Sequence, residues 1–171
     1  MNTKTGVVAG SFDPITNGHL WIIQEALKLV NILHVTIGHN PGKPGYFTPE
    51  ERERQVRAVL SDVLPSYDYD RLWIGYHSGF LVQYASSAGA DCIIRGIRNS
   101  TDFLYEQQLQ AVNAKINPSI STIYLIPPNE HLECSSSVVR GLVGFEGWEE
   151  IVSKYVHPVV LGHLERKANA Q

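Results

Sequence analysis

Ten consecutive residues, Gly10-Ser11-Phe12-Asp13-Pro14-Ile15-Thr16-Asn17-Gly18-His19, gather hydroxyls, a carboxylate and an imidazole around two glycines. They follow the apolar stretch Val7-Val8-Ala9 and precede Leu20, Ile23, Leu27 and Val30, which recur at helical spacing. The pattern predicts a strand, a glycine-bearing turn, and a helix opening at Asn17 to His19 with Thr16 or Asn17 as its N-cap. A helix N-terminus offers unpaired N–H groups and a positive dipole end to an anion, above all to phosphate. A histidine in the first turn would point at whatever the loop holds. Ordinary turn chemistry accounts for the same Gly-Ser, Asp-Pro and Asn-Gly pairs without any ligand. The segment is not a dinucleotide fingerprint, since Gly10 and Gly18 lie eight positions apart, and no Gly-Lys-Ser/Thr of a Walker loop follows.

Three further places carry charge or hydroxyls in suggestive settings. Lys43 lies in the loop Gly42-Lys43-Pro44-Gly45, where a lysine is ordinarily solvated. Arg95 directly follows the apolar run Cys92-Ile93-Ile94, and an arginine at the end of a buried strand is costly unless it meets an anion. Ser135-Ser136-Ser137 precedes a short helix expected over Val138 to Val143, as an N-cap or as a set of phosphate-binding hydroxyls.

The elements that must position these residues alternate in type. Strands are expected at Val7–Ala9, Ile32–Gly38, Leu72–Ile74, Asp91–Ile94 and Thr122–Ile126. Helices are expected from His19 to Val30, from Pro49 to about Leu64, from Gly79 to Ala88 and from Thr101 to about Ile116. Thr48, Pro49 and Glu51 form a capping box with proline in the first turn of the second helix. Such alternation predicts a Rossmann-like, doubly wound parallel sheet of five strands with helices on both faces, built as one domain over residues 1–171. Ligands of such sheets bind beyond the carboxyl ends of the strands. Ser11, Arg95 and the Ser135 region all follow strands, with Lys43 a few residues further on. The tail from Glu165 to Gln171 is expected to fray.

Composition agrees with a small globular protein. The chain has 171 residues, 43% of them hydrophobic and 18% charged, and a formal net charge of −3. That charge argues against general nucleic-acid binding, so positive groups must be concentrated locally. No signal-like N-terminus or bilayer-length apolar run is present, which points to a cytoplasmic protein without a membrane partner. Cys92 reads as a buried thiol and Cys134 as a neighbour of the serine run; neither has metal-ligand spacing. Trp21, Trp73 and Trp148 fit a core or an interface equally.

Thr16-Asn17-Gly18-His19 resembles the T/H-x-G-H signature of the nucleotidyltransferase superfamily, and the longer run from Gly10 is similar to its phosphopantetheine adenylyltransferase branch. Further matches come in order: Lys43 before Phe47-Thr48-Pro49-Glu50-Glu51-Arg52, then Arg95-Gly96-Ile97-Arg98, Asp102-Phe103 with Tyr105-Glu106, and Ser135-Ser136-Ser137. The resemblance implies transfer of the adenylyl group of ATP to 4′-phosphopantetheine, giving dephospho-coenzyme A and pyrophosphate. A phosphate monoester is largely dianionic near neutral pH. It therefore needs alignment and charge stabilisation rather than a strong base or a covalent intermediate.

The resemblance also implies roles. His19 stabilises the transition state and, with Lys43 and Arg95, makes up the catalytic set. Ser11, Lys43, Leu81 and Arg95 bind the acceptor. ATP is met by Ser11, Phe12, His19, Gly96, Ile97, Arg98, Glu106, His131, Leu132, Glu133, Cys134, Ser135, Ser136 and Ser137. Glu106 would contact the nucleotide, although read alone it is an exposed helix carboxylate. Leu104 stands where the family often has glutamate, and Glu133 and Cys134 where it has aromatic or aliphatic residues. Mg²⁺ is expected to arrive with ATP, held by phosphates and water, so no protein metal ligands are assigned. A homohexamer and feedback inhibition by coenzyme A are implied as well. Two other readings compete. One is a nucleotidyltransferase acting on nicotinamide mononucleotide or a cytidylyl acceptor, whose branches usually begin the signature with histidine where this chain has Thr16. The other is a regulatory nucleotide binder without catalysis, against which Ser11, His19, Lys43 and Arg95 argue.

Overall fold

The computed structural model describes residues 3–39, 42 and 44–170. Along the chain it forms β1 (Thr5–Gly10), α1 (Asn17–Leu29), β2 (Ile32–Gly38), α2 (Pro49–Val63), α3 (Ser66–Tyr69), β3 (Leu72–His77), α4 (Leu81–Ser87), β4 (Cys92–Gly96) and α5 (Ser100–Ile116). Then come β5 (Ser121–Leu125), a 3₁₀ turn at Asn129–His131, α6 (Ser136–Leu142), α7 (Trp148–Val152) and α8 (Pro158–Ala168). The strands form one sheet in the order β3-β2-β1-β4-β5, with every pairing parallel. This is the Rossmann-like doubly wound arrangement expected from the sequence.

Strand alternation explains the two helical layers. Val8 and Ile94 point to one face and join a core with Ile23, Ala26 and Leu27 of α1 and Val56, Val59 and Leu60 of α2. Val7 and Ile93 point to the other face and pack with Val82 and Ala85 of α4. Both faces of the central strands are thus covered, which is why Val7-Val8 and Ile93-Ile94 read as continuous apolar runs. The order reverses between β1 and β4, each the other's neighbour, so the crevice at their carboxyl ends is the switch point where ligands bind.

Several boundaries differ from expectation for local reasons. β3 continues three residues past Ile74, to His77, pairing Gly38 with His77. α4 starts at Leu81, not Gly79, because Gly79 takes a φ of +107°, which no right-handed helix contains. Arg95 lies inside β4, opposite Tyr124, instead of just after the strand. α6 begins at Ser136 since Ser135 is its N-cap, accepting from the Val138 N–H at 3.2 Å. The tail does not fray at Glu165: α8 runs to Ala168, anchored by the fully buried Leu164. Trp148 is buried and Trp73 is 66% exposed. Both cysteines are buried free thiols.

Candidate active site

The site begins at the start of α1. Thr16 is the N-cap and forms a reciprocal capping box with His19. The Thr16 backbone N–H donates to His19 Nδ1 at 3.1 Å, and Thr16 Oγ1 lies 2.9 Å from the same nitrogen and 3.3 Å from the Cys134 carbonyl oxygen. A nitrogen that accepts from a backbone N–H cannot carry the ring proton, so neutral His19 is the Nε2–H tautomer. Burial lowers the His19 pKa from 6.5 to about 4, with help from the positive charges of Arg98 and Arg95. The ring is thus a neutral donor.

The helix start is not the bare row of amides that the sequence pattern suggests. Asn17 N–H donates to the Tyr155 carbonyl at 2.8 Å and Gly18 N–H to Cys134 Sγ at 3.3 Å. A Cβ at Gly18 would lie 3.0 Å from the Cys134 carbonyl oxygen, so glycine is needed for this close approach. Phe12 has a φ of +44°, rare for a bulky side chain, and its fully buried ring sits 5.0 Å from the His19 ring.

Two arginines converge from β4 and the loop after it. Arg95 Nε reaches both carboxylate oxygens of Glu106 at 3.0 Å, its Nη2 also binds Glu106, and its Nη1 donates to the Ala9 carbonyl at 2.6 Å. The anion expected opposite Arg95 is therefore present within the protein, and Glu106 is buried rather than solvated. Arg98 Nε donates to Asp102 Oδ2 at 2.9 Å, and the Arg98 N–H reaches the same oxygen at 3.2 Å. Burial raises the Asp102 pKa, but the hydrogen bonds and charge of Arg98 outweigh it and hold the carboxyl below its ordinary value.

The serines knit α6 to the first loop. Ser136 Oγ donates to the Pro14 carbonyl at 2.8 Å, and Ser137 Oγ accepts from Arg140 Nη2 at 3.4 Å. Arg140 also donates to the Asp13 carbonyl. On the opposite side, the Asp13 carboxylate accepts from the Tyr46 and Phe47 N–H groups, both at 2.8 Å. Buried Arg52 donates to the Ser11 carbonyl at 2.8 Å and to the Gly38 carbonyl at 3.3 Å, riveting the ends of β1 and β2 together. Lys43 lies outside the described residues.

These groups line connected spaces. A cavity of about 320 Å³ is walled by Ser11, Phe12, His19, Gly96, Arg98, Glu106, His131, Cys134 and Ser135 to Ser137, together with Asp102 and Tyr105. Ile97, Leu132 and Glu133 are not in that wall; Ile97 is buried, donating its N–H to the Leu125 carbonyl. A second space of about 330 Å³ holds Leu81, and a third of about 250 Å³ adds Leu109 and Asn113 from α5. Arg95 borders all three, and Ser11 the first two. Sequence reasoning quoted Asp13 and Arg52 within its motifs yet gave them no task, and it passed over Arg140; only long-range contacts reveal what they hold. Among the described residues, no group of three or more His, Cys, Asp or Glu side chains could hold a metal ion, and no helix is long and apolar enough to cross a membrane.

Residues 7–142 match the cytidylyltransferase-like family. A phosphopantetheine adenylyltransferase from Chromobacterium violaceum is 43% identical over 154 residues, covering 90% of each chain. One from Neisseria meningitidis is 41% identical over 157 residues, covering 92% of this chain and 89% of that one. The chain belongs to the phosphopantetheine adenylyltransferase family. Membership makes it a nucleotidyltransferase, with the reaction that the resemblance implies: adenylyl transfer to 4′-phosphopantetheine in coenzyme A biosynthesis. The fold alone is shared with more distant structures. A Plasmodium falciparum nicotinic acid mononucleotide adenylyltransferase, solved with APC, has a TM-score of 0.67 at 13% identity over 96% of both chains. A bifunctional NMN adenylyltransferase/ADP ribose pyrophosphatase from Francisella tularensis, solved with AMP and a Mn ion, has a TM-score of 0.70 at 16% identity, over 99% of this chain and 50% of that one.

Proposed function

We propose that the protein joins ATP to 4′-phosphopantetheine by direct in-line attack of the acceptor phosphate on the α-phosphorus, with pyrophosphate leaving and no covalent enzyme intermediate. The observation that carries this reading is the junction at Ser11 and Arg95, which both the 320 Å³ and the 330 Å³ spaces share. ATP occupies the first, with its phosphates between His19, Arg98 and the Ser135 to Ser137 segment. Phe12, Gly96, Glu106, His131 and Cys134 complete the nucleotide side, while Ile97, Leu132 and Glu133 stand outside that wall. The acceptor occupies the second, its phosphate between Ser11, Lys43 and Arg95 and its arm along Leu81. The neutral Nε2–H of His19 donates to an α-phosphate oxygen as charge builds there.

Mg²⁺ travels with ATP and neutralises part of the phosphate charge. Phosphates and water hold it. Residues 1–171 act as one nucleotidyltransferase unit located in the cytoplasm, with neither nucleic acid nor membrane as partner. A homohexamer is part of the proposal. Its support is α5, which buries only Glu106 while exposing Phe103, Leu104, Tyr105, Val112 and Ile116. Coenzyme A, which shares the acceptor's arm, inhibits by occupying the same spaces.

The test is pyrophosphate release from ATP and Mg²⁺ with 4′-phosphopantetheine, with nicotinamide mononucleotide, or without acceptor. Release with 4′-phosphopantetheine alone, together with dephospho-coenzyme A, is expected. Release with nicotinamide mononucleotide would move the acceptor, and nucleotide binding without release would overturn the reading.

A further inference from the structure

The three residues that lead from the Gly42 to Gly45 loop into α2 each donate their backbone N–H to a carboxylate. Tyr46 and Phe47 donate to the two Asp13 oxygens at 2.8 Å, and Thr48 donates to Glu51 Oε2 at 2.8 Å. These bonds hold the stem from within. A cation from the far end of the chain covers its outer side. Lys167 Nζ lies 5.4 Å from the Tyr46 ring centroid, 5.1 Å from that of Phe47 and 4.0 Å from Glu51 Oε2. An ammonium is attracted by the faces of both rings as well as by the carboxylate. The docking of α8 along α2 brings it there. Val160 and Leu164, one turn apart and fully buried, seat α8 in the main core. At the start of α8, His157 Nε2 lies 3.0 Å from Asp62 Oδ2, near the end of α2. The two helices therefore run antiparallel, and Lys167 meets the opening turn of α2. That turn also carries Arg52, which holds the carbonyls of Ser11 and Gly38, two residues in the wall of the acceptor space.

We infer that Lys167 is a positioning residue for acceptor binding, acting through Tyr46, Phe47 and Glu51 to hold the stem and the first turn of α2 in place. The inference rests on the adenylyl-transfer reading, which gives the loop before the stem to the acceptor. Tyr46, Phe47, Glu51 and Lys167 do not line the nucleotide cavity, and Gly38 borders the acceptor space instead. The effect of Lys167 therefore falls on the acceptor side and leaves the chemical step alone. A segment that reads as a fraying tail thus reaches back to support the site.

The test uses Lys167→Met, which keeps the aliphatic stem over the rings and removes the charge, and Lys167→Arg, which keeps the charge. Lys167→Met is expected to raise the KM for 4′-phosphopantetheine about 2- to 5-fold, the size expected of one cation–aromatic contact at a partly exposed site. The KM for ATP and kcat should stay within about 1.5-fold, and Lys167→Arg should restore the acceptor KM. Without substrates, hydrogen exchange of the Tyr46, Phe47 and Thr48 amides should quicken by a similar factor in Lys167→Met, while the Val160 and Leu164 amides keep wild-type protection. Asp62→Asn removes the contact at the other end of α8 and should leave the acceptor KM unchanged. An unchanged acceptor KM in Lys167→Met overturns the inference. So does an equal rise in the KM for ATP, or the same rise in Asp62→Asn, either of which would make Lys167 one more tie in helix docking. Wild-type protein that forms no dephospho-coenzyme A would overturn the adenylyl-transfer reading instead, and the exchange comparison would still decide whether Lys167 holds the stem.

Discussion

His19 Nδ1 accepts the Thr16 backbone N–H at 3.1 Å, and this contact decides which imidazole nitrogen carries the proton. The donor is main chain, so the tautomer is set by the first turn of α1 and not by a side chain that substitution could remove. A neutral imidazole held this way offers one fixed donor to a developing oxyanion without a charge that would tighten ground-state binding.

Replacing His19 should therefore act on turnover more than on nucleotide affinity. His19→Ala is expected to lower kcat by about 10²- to 10³-fold, the usual cost of one preorganised donor. KM for ATP should change less than about threefold. Thr16→Val keeps the backbone donor and should cost less than about tenfold in kcat. Steady-state pyrophosphate release measures both, and a proportional loss in KM for ATP with intact kcat would contradict the assignment.

The His19 pKa gives a signed pH dependence. Its folded value of about 4 lies below the ordinary 6.5, so between those values the unfolded chain binds a proton that the folded protein refuses. The contribution to stability is present above about pH 6.5 and is lost as pH falls toward 4. NMR titration of the free protein should place the His19 midpoint near 4. A bound polyphosphate should raise it, since negative charge offsets Arg98 and Arg95.

Glu106→Ala leaves the Arg95 guanidinium without its carboxylate. Removing one partner of a fully buried pair costs 3–5 kcal/mol; because Arg95 keeps 22% of its side chain exposed, about 2–3 kcal/mol is expected in urea unfolding. Inorganic phosphate should stabilise this variant more than the wild type, by supplying the missing anion. Equal stabilisation of both would show that Arg95 is not open to phosphate.

Asp13→Ala removes the acceptor of the Tyr46 and Phe47 N–H groups, which fix the chain just after the Gly42 to Gly45 loop. Hydrogen bonds to a charged group contribute roughly 1.5–3 kcal/mol each. A stability loss of about 3 kcal/mol is expected, together with a higher KM for 4′-phosphopantetheine. Denaturant melts and acceptor titrations at saturating ATP check the two effects.

The parallel sheet, the capping box at Thr48 and the helix opening at Thr16 were legible from the sequence because each is encoded within a few residues. Apolar runs fix strands, and cap residues fix helix starts. The family was legible because its motifs are short and ordered. Partners far apart in the chain were not. Nothing near Arg95 announces that Glu106 will face it, nor does Arg52 reveal that it holds the carbonyls of Ser11 and Gly38. The α1 start reads as open amides, yet the Tyr155 carbonyl and Cys134 Sγ close over it from the far end of the chain. Sequence by itself determined the five strands, helices α1, α2, α4, α5 and α6, and which residues reach the carboxyl ends of the strands, since propensity and periodicity are local; α3, α7 and α8 carry no such signal. Only the tertiary structure decided the His19 protonation state and the pairing of Arg95 with Glu106, because burial and charge depend on what the rest of the chain brings near.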